Sequence, residues 1–245
     1  MSPVLLLSIL LQIACAVHAV RSGRPMYWLF ILLIGSYIAV AVYLLAEVLP
    51  GLRNNRAARQ AVRGVQDRID PTRRTRAAAL RLDVADTLQN RRLLAEESLR
   101  AGDHAHAAEL FRSSLKGLYA TDPELMLGLA TAQLALGDAH ATKATLDALI
   151  AANPTFRSSD GHLLYARAVE QLGDGPAALH EYEALVQGYP GEEARVRYAL
   201  LLKQQGQADK AREVFDETLR RSAASPGYYR REQREWIDIA KREMA

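Results

Sequence analysis

The chain is poor in cysteine and bulky aromatic residues, and poor in acid over its first third. Among 245 residues there is one cysteine, Cys15, which excludes a disulfide framework, a cysteine-held zinc and a C-x-x-C redox pair. Four Phe and two Trp leave little surface on which nucleic-acid bases could stack. No G-x-S-x-G, no H-E-x-x-H and no Gly-rich phosphate loop ending in Lys occurs. His104 and His106 stand two apart at a helix start and so point to different faces. His140, His162 and His180 are scattered, and His18 lies in an apolar stretch. No catalytic residue, cofactor site or metal site is expected.

The charge is unevenly placed. Residues 1–82 hold eleven Arg against three acids, a net of +8, whereas residues 83–245 hold twenty Lys and Arg against twenty-five acids, a net of −5. Two physically different parts are joined.

Pro3 to Val20 carries no charged residue, and Met26 to Leu49 carries only Glu47. A hydrocarbon core of ~30 Å needs about 20 helical residues, so the pattern predicts two transmembrane helices over 3–20 and 26–49. Arg21 to Pro25 would form the turn, with Tyr27 and Trp28 at a water interface. A cleaved signal is the weaker reading, because no positive segment precedes the apolar run. Two Arg in the turn face eight between Arg53 and Arg76, which predicts that the C-terminal part lies in the cytoplasm. The expected location is a bacterial inner membrane.

The Val17-to-Arg24 turn, Trp28 and Tyr43 carry a resemblance to the phospholipase D-nuclease N-terminal domain, the two-helix module ahead of cardiolipin synthase catalytic domains. It covers about residues 5–50. The catalytic H-x-K with a downstream Asp that usually follows is missing, since no His has Lys two residues later. The resemblance implies a membrane hairpin without its enzyme, and by extension an accessory role in phospholipid metabolism. A third reading is self-assembly through Gly35-x-x-x-Ala39 in the second span.

Residues 51–87 read as a basic connector. Val62, Val65 and Ile69 make a narrow apolar stripe on an Arg-rich helix, and Asp70-Pro71 predicts the start of the next one. Arg53, Arg56, Arg59 and Arg63 are candidate contacts for anionic phospholipid headgroups, at ~1 kcal/mol each. A plain topology-fixing flank explains the same residues. Nucleic acid is disfavoured as a partner, because no aromatic lies between Leu49 and Phe111.

From residue 88 a period emerges. Gly102-Asp103, Gly137-Asp138, Gly173-Asp174 and Gly206-Gln207 follow one another at 35, 36 and 33 residues. Ahead of each stands a Leu or Tyr followed by Ala: Leu94-Ala95, Leu129-Ala130, Tyr165-Ala166 and Tyr198-Ala199. Behind each comes a small residue and a large one four positions on: Ala107/Phe111, Thr142/Leu146, Ala178/Tyr182 and Ala211/Phe215. Pro123, Pro154, Pro190 and Pro226 close the units, and the second helix of the first unit is expected to run about four residues long. This pattern resembles the tetratricopeptide repeat over roughly residues 88–226. The resemblance implies an all-α chain in which four helix pairs stack into a right-handed superhelix over 88–245.

After the fourth unit, Tyr229, Gln233, Trp236, Ile237, Ala240 and Met244 share one helical face. They predict a capping helix, with Trp236 on the second helix of repeat four. Glu192-Glu193 and Asp216-Glu217 read as solvated faces.

Repeats of this family bind protein or peptide segments in the concave groove lined by the first helix of each pair, and the resemblance implies such a partner here. Positions that grip a peptide carboxylate in one subclass hold Arg92, Glu96, Leu127, Thr131, Leu163 and Arg167, with no Asn among them, so that clamp is not supported. Candidate groove residues are Arg92, Glu96, Arg100, Thr131, Arg167, Glu170, Arg197 and Lys203. For any single one of them, ordinary surface is the better reading. The functional expectation is a non-catalytic adaptor or scaffold at the membrane.

Overall fold

The computed structural model describes residues 3–21, 25–34, 36–43 and 70–245, with side chains for 11–21, 25–32, 39–40, 42–43 and 70–245. All regular structure among the described residues is helical. The chain divides into two compact units, residues 1–73 and 74–245.

The first unit contains α1 (Pro3–Arg21), α2 (Tyr27–Ile34) and α3 (Ser36–Tyr43). Cys15, Ala19, Trp28, Leu32, Val40 and Tyr43 bury one another. Trp28 and Tyr43 meet edge to face at 5.2 Å, and Nδ1 of His18 lies 2.9 Å from the Tyr43 hydroxyl. Among the described residues, no helix is long and apolar enough to cross a membrane. Gly35, Glu47 and the four candidate headgroup contacts Arg53, Arg56, Arg59 and Arg63 lie outside those residues, as do Val62, Val65 and Ile69.

The second unit opens with α4 (Arg73–Val84). Asp70 stands ahead of this helix, and its carbonyl accepts the Arg73 amide at 3.3 Å. Its carboxylate accepts the Thr72 hydroxyl at 3.0 Å, and Pro71 lies in a turn ahead of the first helical residue. Ala78 of α4 is buried against the first helix pair, with Ala79 and Leu82 packed beside it.

Four helix pairs follow: α5 (Leu88–Ala101) with α6 (His104–Ser114), α7 (Pro123–Ala135) with α8 (Ala139–Ala152), α9 (Ser159–Gln171) with α10 (Gly175–Val186), and α11 (Glu193–Gln204) with α12 (Ala208–Ala224). We call the two members of each pair helix A and helix B. The turn glycines Gly102, Gly137, Gly173 and Gly206 take φ of +83°, +81°, +83° and +78°, a region where a Cβ is penalised. The Gly102 and Asp103 amides close the end of α5 on the carbonyls of Leu99 and Ser98. Asp103, Asp138 and Asp174 then cap the next helix by accepting the amides of His106, Ala141 and Ala177. The Gly-Asp pair thus ends one helix and starts the next. Gln207 makes no such side-chain bond.

Ala95, Ala130, Ala166 and Ala199 are fully buried, which lets the two helices of each pair approach closely. Phe111, Leu146, Tyr182 and Phe215 fill the space beside them. Gly128 does similar work between pairs: a Cβ there would stand 2.5 Å from the Phe111 ring.

Two expectations are corrected. Helix α6 is not extended but stops at Ser114, where a short 3-10 turn over Gly117–Tyr119 replaces it, and Pro123 opens α7 behind the Asp122 cap instead of closing α6. The C-terminal helix is broken at Gln233 into α13 (Gly227–Glu232) and α14 (Arg234–Met244). Ile237 and Ala240 are buried as expected, whereas Met244 is exposed.

Candidate partner-binding face

Eight residues were expected to share the A-helix face, and the structure gathers most of them into two groups. On α5, Arg92 pairs with Glu96 at 2.8 Å and reaches Glu124 of α7 at 3.6 Å. Arg100 pairs with Glu96 at 3.7 Å and with Glu97. On α9 and α11, Arg167 meets Glu193 at 3.5 Å while Arg197 meets Glu193 at 2.8 Å and Glu170 at 3.8 Å. Thr131 and Lys203 join neither group. The Thr131 hydroxyl donates to the Leu127 carbonyl of its own helix, and Lys203 pairs with Glu243 of α14 at 2.7 Å.

Some of these contacts run between neighbouring helices of the face. The α5–α7, α9–α11 and α11–α14 seams each carry an ion pair. Among the described residues, none joins α7 to α9. There the residues that meet are Leu127 and Gly161, where a Cβ on the glycine would stand 3.3 Å from the Leu127 methyl. The ion pairs across the other three seams are partly exposed and contribute about 1 kcal/mol or less each. Their effect is to orient the face more than to stabilise it.

The sequence marked Tyr182 only as a repeat position and Glu192 only as part of a solvated face, and it did not single out Arg195 or the reach of Trp236. Tyr182 is buried, and its hydroxyl donates to Glu170 at 2.5 Å. Burial raises the pKa of this phenol well above the ordinary range, and the Glu170 carboxylate adds to the rise. Trp236 does pack near α12, yet its ring also lies 5.0 Å from the Arg197 guanidinium on α11.

Glu192 is not on a solvated face: it is fully buried. Its carboxylate accepts the Tyr229 hydroxyl at 2.8 Å and lies 3.3 Å from Arg221 and 3.4 Å from the buried Arg195. The side-chain oxygen of Gln233 takes the Glu192 amide at 2.9 Å. This knot fastens α13 and the start of α14 to the fourth pair. Glu193 beside it bridges Arg167 and Arg197, whereas Asp216 is exposed and pairs with Arg220 along α12.

Among the described residues, no three His, Cys, Asp or Glu side chains are grouped so as to hold a metal ion.

Comparison with solved structures places this arrangement. The MamA protein aligns with a TM-score of 0.52 at 20% identity, over 65% of this chain and 88% of that one. TTC0263, described as a thermophilic TPR protein of Thermus thermophilus, aligns with a TM-score of 0.53 at 18% identity, over 69% and 87%. The fold is that of a tetratricopeptide array. A double mutant of MamA RS-1 gives 0.56 at 16%, over 69% and 95%. No family model and no curated protein sequence matches the chain. At these identities the likeness is one of fold alone.

Proposed function

We propose that this chain is a non-catalytic adaptor, anchored in a bacterial inner membrane by its N-terminal hairpin, whose tetratricopeptide array binds a protein or peptide segment along its A-helix face. The carrying observation is that face: partly exposed charges of both signs are paired on α5 and across α9 and α11, and α7 sets Thr131 in the repeat between them. A partner segment finds donors and acceptors already oriented there, at little cost in side-chain ordering.

The anchoring part is supported by the first unit. Ile13, Val17, Val20 and Phe30 are exposed around a core that is itself apolar. Helices apolar both inside and outside suit lipid better than water. On this reading Arg53, Arg56, Arg59 and Arg63 sit against anionic headgroups, and the eight-to-two Arg count puts the array in the cytoplasm.

The test is co-purification of the full chain from membranes. A partner recovered with the wild type, lost with Thr131→Glu plus Arg167→Glu and retained with Glu183→Arg supports the reading. Equal recovery with both variants contradicts it.

A further inference from the structure

The one A-helix seam without an ion pair among the described residues, between α7 and α9, adjoins a cavity of about 430 Å³. The repeat register shows what Gly161 adds to it. Twelve residues ahead of the turn glycines stand Asn90, Leu125, Gly161 and Ala194. Leu125 and Ala194 are buried and fill their sites, while the third repeat places no side chain there. Leu146, Leu149, Ile150, Phe156 and Tyr165 then wall an apolar space, with Ile150 at its exposed rim. Volumes of this order hold ligands.

Two charged groups line the same space, and each has bonding capacity to spare. The Glu181 carboxylate accepts the His162 Nε2–H at 2.7 Å through one oxygen, and its other oxygen has no protein partner among the described residues. Arg157 uses one terminal nitrogen on the carbonyls of Pro154 and Phe156, at 2.7 and 3.0 Å, which orients the guanidinium and leaves its other N–H groups open. A second cleft of about 220 Å³ shares Arg157, Ser158 and His162 with the cavity and extends to Tyr189.

We propose that this cavity is a second, separate peptide site: it takes one apolar side chain of a partner segment, whose main-chain N–H donates to Glu181 and whose carbonyl accepts from Arg157. Apolar walls with an acceptor and a donor fit a peptide main chain, which carries a donor and an acceptor flanking each side chain. The adjoining cleft gives the neighbouring residue somewhere to lie. The proposal rests on the adaptor reading for its ligand class and adds a site beside the charged groups of that face, formed where α8, α10 and the loop ahead of α9 meet Leu127, Gly161 and Tyr165.

The test uses the full chain in lipid nanodiscs and follows methyl resonances of Leu127, Leu149 and Ile150. N-acetyl-phenylalanine amide is the probe, and propylbenzene is the same side chain without a main chain. Saturable shifts with the amide, with its affinity lowered about tenfold or more by Glu181→Ala, are expected from the loss of a hydrogen bond to a charged group. Should Glu181→Ala fail to fold, Arg157→Ala, in an exposed loop, must weaken the amide and leave propylbenzene unaffected. No shift with the amide overturns the proposal. So does equal binding of amide and propylbenzene, or octanoate binding that improves in Glu181→Ala, which would assign the cavity to an acyl chain. A partner lost on Thr131→Glu plus Arg167→Glu while the amide stays silent would sink this site and leave the adaptor standing.

Discussion

The seam between repeats three and four and the seam between repeats two and three are built from equivalent helices, yet they hold together differently. The former is crossed by Arg167–Glu193 and Glu170–Arg197, with the buried Glu192 knot close behind. The latter has an apolar contact at Gly161 and a cavity beside it. Repeat register fixes where side chains meet. What they are decides whether a seam is closed or left open to a ligand.

The largest way to break this contrast is Glu192→Ala. Removing a fully buried carboxylate leaves Arg195 buried and unpaired, which costs about 3–5 kcal/mol. Denaturant unfolding should show a midpoint drop of that order, and α13–α14 should become the first segment cut by limited proteolysis.

Next come two identical substitutions with opposite expected signs. Gly128→Ala puts a methyl 2.5 Å from the Phe111 ring and should destabilise by about 1–3 kcal/mol. Gly161→Ala meets only the end of Leu127 and the Ser158 side chain at 3.3 Å, next to open space. There the helical preference for Ala should win by up to ~1 kcal/mol. Thermal unfolding of both variants side by side checks the difference, and matching losses would remove the claim that the second seam is loosely packed.

A smaller effect tests the turns. Gln207→Asp would restore the cap that Asp103, Asp138 and Asp174 make, and should stabilise by about 0.5–1 kcal/mol in equilibrium unfolding. The smallest effect is expected at the face itself. Glu193→Ala should cost at most ~1 kcal/mol, because Arg197 keeps Glu170 as a partner, and salt should change the loss only weakly, since the Glu193 side chain is mostly buried.

The repeat frame was legible in the sequence because its signals are local. A Gly that must turn left-handed and an Asp that must cap recur at fixed spacing, and the small-large pairs behind them need no knowledge of neighbours. What stayed hidden depends on partners distant in the chain. Glu192 looks like any surface acid until Tyr229 and Arg221 close over it, and Gly128 matters only because Phe111 comes from the previous pair. The stop of α6 was also missed, because Pro123 serves as well in the first turn of a helix as after the end of one. Of the eight candidate groove residues, the pairing of Arg92 with Glu96 followed from their spacing of four. The linking of Arg167 and Arg197 through Glu193 required the superhelical stack.

The most direct measurement is photo-crosslinking in intact cells from the A-helix face, with the reactive residue placed at Thr131 and, as control, at Glu183 on the exposed side of α10. A discrete crosslinked protein from Thr131 that is missing from Glu183 is the predicted result, and it would identify the partner. Identical products from both positions, or none from Thr131 when the array is shown to be folded, would contradict a binding role for this face.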